Sequence, residues 1–90
     1  MKEITLDCRG FIPRSELHRI LAAALSFPDH YGNNLDALHD CLTSLPEETR
    51  LILQNWEAAE VGLGRYALGL KRVLEDSQEE NPLLKIHFES

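Results

Sequence analysis

Leu51-Ile52-Leu53, set between Arg50 and Gln54, is the stretch on which the fold turns. This short apolar run reads as a buried strand. Upstream of it, Ser44 to Thr49 is a connection containing Pro46; downstream, Trp56 leads into a glycine-interrupted stretch. Further out, Ile4, Leu6 and Cys8 alternate with Thr5 and Asp7, which predicts a first strand. Leu84, Ile86 and Phe88 alternate with Lys85 and His87, which predicts a last one. Helical spacing fills the intervals. Leu17, Ile20, Leu21, Ala24 and Leu25 follow a start at Pro13 or Ser15 and stop at Phe27-Pro28. The loop DHYGNN ends in Asn33 or Asn34, either of which can cap a second helix over residues 35–43. Ala67, Leu70, Val73 and Leu74 lie on one side of a third helix over residues 66–80, ended by Asn81-Pro82. Strands separated by helices imply a parallel sheet with helices packed on it. Three strands make a small sheet, so helices must cover much of it. The expectation is one α/β domain spanning residues 1–90.

Composition narrows the function classes. The chain has 90 residues, 43% apolar and 27% charged, enough for a core and too short for a multi-domain machine. Nine basic residues against fifteen acidic ones leave a net charge of −6. That balance argues against direct nucleic-acid binding, which needs a basic surface, and suits a basic partner. The start, MKEITLDCRG, has no apolar run behind a cationic stretch, so no secretory signal is expected. The longest apolar run, Ile20 to Leu25, falls far short of the ~20 residues that span a bilayer. A cytoplasmic location without membrane contact is therefore expected. Cys8 and Cys41 lie far apart without CxxC spacing and read as free thiols.

The acids are unevenly placed. No lysine or arginine occurs between Arg19 and Arg50, a window holding Asp29, Asp36, Asp40, Glu47 and Glu48. A second such window, between Arg72 and Lys85, holds Glu75, Asp76, Glu79 and Glu80. On a wheel of ~100° per residue, Leu35, Leu38 and Leu42 of the second helix cluster with Cys41 at their flank, while Asn33, Asp36, His39, Asp40 and Thr43 share the other side. Such a stripe is ordinarily a solvated face. Two features set this one apart. Asp36 and Asp40, four residues apart, repel by about a few tenths of a kcal/mol. Asp40 also stands near the helix C-terminus, where the dipole disfavours an anion by about 0.3–1 kcal/mol. Asp76 and Glu80 repeat both features at the end of the last helix. Departures from local rules in the same sense mark a patch kept for a cationic partner.

Other chemistries compete for these residues. Asp36, His39 and Asp40 offer metal ligands on one face, but no HExxH, calcium-loop or clustered cysteine–histidine spacing accompanies them. Cys41 with a histidine could form a nucleophilic pair, although a thiol beside a leucine face is more often packing. Paired carboxylates for glycoside chemistry need a cleft that ninety residues scarcely provide. No cofactor is expected. His30 and His39 flank the acids, and a neighbouring carboxylate would favour the protonated form of each. Trp56, next to the buried run, is expected to pack at the core.

The stretch Phe27-Pro28-Asp29-His30-Tyr31-Gly32-Asn33-Asn34-Leu35-Asp36-Ala37-Leu38-His39-Asp40-Cys41-Leu42-Thr43 closely resembles the signature of the barstar family of intracellular ribonuclease inhibitors. Element order agrees along nearly the whole chain. The resemblance implies a three-stranded parallel sheet with about four helices. It implies a non-enzymatic function: plugging the active site of a guanyl-type ribonuclease, extracellular or delivered, in a 1:1 complex formed by a free monomer. By resemblance Asp40 takes the place of the scissile phosphate and Asp36 pairs with a neighbouring arginine. Tyr31, Gly32, Asn34, Leu35 and Thr43 match contact positions, and Asp76 and Glu80 match acids that extend the patch. His30, His39 and Leu45 stand where the family has aromatic contacts, Ser44 where it has glycine, and Cys8 has no counterpart. These departures imply a cognate enzyme other than barnase, or a weaker or pH-dependent complex. The alternative is an acidic adaptor or immunity protein for a different basic toxin or protein.

Overall fold

A computed structural model describes residues 1–90. The elements run β1 (Lys2–Asp7), a 3-10 turn (Cys8–Gly10), α1 (Arg14–Leu25), α2 (Leu35–Thr43), β2 (Thr49–Gln54), α3 (Trp56–Leu63), α4 (Arg65–Glu80) and β3 (Leu84–Phe88). The strands pair in the order β1-β2-β3, both pairs parallel, with Ile4, Leu51 and Ile86 in register across the sheet. The expected parallel α/β architecture with four helices is present.

Side-chain alternation sets the layers. Thr49, Leu51 and Leu53 of β2 are buried, with half-buried Ile4 and Leu6 on one side and Leu84, Ile86 and Phe88 on the other. Against this face pack Leu17, Leu21 and Leu25 of α1, Leu38 and Leu42 of α2, and Ala67, Leu70 and Leu74 of α4. The Trp56 ring meets Phe88 edge-on at 4.9 Å, at the core as expected. The other face corrects the reading of residues 51–53 as a wholly buried run. Arg50 and Gln54 are exposed there and Ile52 is only half-buried, between Thr5 and His87. Helices cover one face of the sheet and leave the other to solvent.

Three local differences have simple causes. Cys8 is buried in the 3-10 turn rather than in β1, because Asp7 ends the strand by accepting from the Arg9 N–H at 3.0 Å. Helix α3 occupies the stretch read as glycine-interrupted. Gly62 sits inside it where a Cβ would overlap the Ile12 side chain, and Gly64, at φ 59°, supplies the left-handed residue that separates α3 from α4. Helix α1 buries His18 beside its leucines, a polar residue the apolar periodicity passes over.

Candidate functional site

The acidic face is built by docking α2 on α4. Gly69 allows the approach: a Cβ there would lie 3.0 Å from Leu35 Cδ1. Asn34 fixes the start of α2, its Oδ1 accepting from the Ala37 N–H at 2.8 Å. Asn33 precedes it in the left-handed conformation that asparagine tolerates. The far end of α2 is held from outside. The buried Asn81, just past α4, donates through Nδ2 to the Leu42 carbonyl at 3.0 Å and the Leu45 carbonyl at 3.4 Å, and its Oδ1 accepts from the Leu83 N–H. One side chain thus supplies a donor to a last-turn carbonyl of α2 and to one just beyond the helix, and ties both to the α4–β3 turn. The sequence marks Asn81 only as a helix stop.

The loop before α2 is anchored through Tyr31. Its side chain packs against Phe27 at 4.9 Å between centroids, and Tyr31 is 9% exposed. Its hydroxyl lies 2.6 Å from His18 Nδ1, while His18 Nε2 lies 2.7 Å from the Tyr66 hydroxyl. A neutral imidazole donates to one of these hydroxyls and accepts from the other, so one ring joins the loop, α1 and α4. Burial, with the Arg14 charge second, lowers the His18 pKa, and burial raises that of Tyr31. The whole set therefore remains uncharged.

The proposed contact residues fall into three groups. Asp36, His39, Asp40, Asp76 and Glu80 share one acidic surface on α2 and the end of α4, all exposed except half-buried His39. Asp36 lies in the first turn of α2, where the dipole favours it, whereas Asp40 lies toward the end that disfavours an anion. The Asp40 side chain is 86% exposed and its carboxylate accepts no hydrogen bond. A second group shapes the loop. Gly32, Asn34 and His30 are exposed, the Gly32 carbonyl accepting from Asn34 Nδ2 at 3.2 Å, and His30 forms no ion pair. The third group is partly or wholly inside. Tyr31 is buried and Leu35 is half-buried against α4. Thr43 spends its hydroxyl on the His39 carbonyl at 2.8 Å. Leu45 lines a cavity of about 520 Å³ together with Asp40, Cys41, Phe27 and Pro28.

His39 is the contact no periodicity could supply. Its Nε2–H donates to Glu80 Oε2 at 2.5 Å, across 41 positions of sequence, and its Nδ1 lies 3.9 Å from Asp40 Oδ1. The Glu80 bond raises the His39 pKa; desolvation opposes it, and the charges of Glu80, Asp40 and Asp76 add to the rise. No His, Cys, Asp or Glu side chains converge into a group that could hold a metal ion. Both thiols are free. Burial pushes Cys8 up to about 12, and burial together with Asp40 raises Cys41, which keeps it a thiol rather than a nucleophilic thiolate. No helix is long and apolar enough to cross a membrane.

Comparison with known proteins meets this geometry from another side. Residues 1–89 match the family described as Barstar (barnase inhibitor). The chain is also similar to a Bacillus subtilis (strain 168) protein named "Putative ribonuclease inhibitor YrdF", with 43% identity over 81 residues, 89% of each chain. Sheet order, helix number, the capped α2 and a match over all but the last residue lead to one assignment: the chain belongs to the barstar family.

Proposed function

We propose that the chain inhibits a guanyl-type, barnase-like ribonuclease, without a catalytic step of its own, by inserting α2 and the loop before it into the enzyme's active site. Family membership and the name of the relative support the inhibitor role. The observation that carries the mechanism is Asp40, an exposed carboxylate without a hydrogen-bond donor, at the C-terminal end of a helix held at both ends. A ribonuclease active site is cationic because it binds phosphate. A carboxylate offered there by a rigid helix takes the place of the scissile phosphate and becomes desolvated among the enzyme's cations, where a single residue can dominate affinity.

The other residues take supporting parts. Asp36 pairs with a neighbouring arginine of the enzyme, and Asp76 and Glu80 extend the negative field that speeds association. His30, Gly32, Asn34 and Leu35 form the edge of the plug, with Thr43 and Leu45 at the far end of α2. Tyr31 acts from inside, by holding the loop in shape. The free chain is a monomer and the complex is 1:1, with an enzyme that is secreted or delivered from outside while the inhibitor stays in the cytoplasm.

Titration of the purified chain against barnase and a panel of related guanyl-type ribonucleases, at low and physiological salt, tests the reading. Stoichiometric inhibition of at least one enzyme is expected, with association slower at the higher salt. No inhibition across the panel would contradict it and favour a basic partner of another kind.

A further inference from the structure

The acidic face carries its own cation. His39 lies between Glu80 at 2.5 Å and Asp40 at 3.9 Å, with Asp76 as the remaining charged neighbour on α4. The lysines and arginines that form ion pairs do so elsewhere, Lys2 with Glu47, Arg9 with Asp7, Arg19 with Glu16 and Arg50 with Glu3. On this face no lysine or arginine comes within ion-pair distance of a carboxylate, and Asp40 and Glu80 share His39 as their basic neighbour. The His39 ring, 33% exposed, covers Oε2 of Glu80, so a guanidinium or ammonium group that seeks that oxygen meets the ring first.

We propose that His39 sets the specificity of the face: its ring holds Oε2 of Glu80, so a cationic partner that takes that oxygen displaces the ring, and a ring that was imidazolium gives up its proton to solvent beside the new cation. The inference rests on the reading of this face as a site for a cationic protein. Two consequences follow from charge alone. A partner whose cations are dense enough to displace the ring gains Glu80, whereas a weakly cationic one meets a face whose charge is partly cancelled. Binding also releases a proton. Affinity then rises with pH through the range in which free His39 deprotonates, by at most about tenfold per pH unit for one linked proton.

A hexa-arginine peptide tests this without the natural partner, because its guanidinium groups hold their charge throughout the range used. Binding would be followed by NMR at constant low ionic strength, at about pH 6 and about pH 8.5 on either side of the histidine range. Shift changes should map to α2 and the end of α4, with affinity at least about threefold higher at the upper pH, within the one-proton limit. Saturating peptide should lower the His39 midpoint, and so should Glu80→Gln in the free protein. His39→Gln should bind more tightly than the wild type at the lower pH and lose most of the pH dependence. Peptide binding at the face with an unmoved His39 midpoint, or with equal pH dependence in His39→Gln, would overturn the role of His39 while leaving the cationic-partner reading standing. Absence of binding at the face at either pH would remove both.

Discussion

His18 and His39 are the same side chain in opposite settings. His18 is 1% exposed, bonded to two tyrosine hydroxyls, and its pKa is lowered. His39 is half-buried, bonded to a carboxylate, and its pKa is raised. The difference lies in what each ring has in place of water. Hydroxyls compensate the neutral imidazole, whereas carboxylates reward the cation. One histidine therefore fastens the loop from inside and the other modulates the charge outside. Both tie their elements to α4, through Tyr66 and Glu80 respectively.

The inner region should be the more costly to disturb. His18→Leu leaves the buried Tyr31 hydroxyl without a partner and frees that of Tyr66, for an expected loss of about 2–3 kcal/mol in urea unfolding. A variant as stable as the wild type would break the contrast, since His18 would then be filling space rather than fastening the loop.

The pH dependence of stability sharpens it. As pH falls through the ordinary histidine value of 6.5, the unfolded chain takes up a proton at position 18 that the folded chain resists, so the His18 contribution declines toward acid. His39 has the opposite sign. Its stabilisation is fully present below 6.5 and is lost as pH rises through its higher folded midpoint. Unfolding of His39→Gln, measured from about pH 5 to about pH 9, should show a flattened alkaline decline and an unchanged acid side. An alkaline limb identical to the wild type would show that the Glu80 bond contributes nothing to folding. The smallest effect on stability is expected from Asp40→Ala. This change removes an anion from a helix C-terminus and should leave stability unchanged or raise it by up to about 1 kcal/mol.

The same contrast explains what could be read in the sequence. Local signals are sufficient for α2, whose cap and leucine spacing, Asn34 to Leu42, lie within one short stretch, and for the alternating strands at either end. The acids of α2 and α4 were legible as a charge pattern. The missed features depend on tertiary proximity. His18 is polar on an apolar face, and nothing nearby announces the tyrosines that satisfy it, 13 and 48 positions away. Glu80 meets His39 only after α4 docks on α2. Asn81 serves the end of α2 from beyond α4. Helix α3 was obscured because Gly62 and Gly64, which permit its packing and its junction with α4, also weaken its helical signal. The open face of the sheet was hidden by Ile52, an apolar residue that the run at 51–53 drew into the core.

Asp40→Ala, compared with the wild type against whichever ribonuclease the wild type inhibits, tests the central claim most directly. Inhibition constants and urea unfolding curves would be measured on the same preparations. The plug account predicts a loss of at least about 2 kcal/mol of binding with the fold intact. Unchanged inhibition, or loss of inhibition that tracks unfolding of the variant, would contradict it.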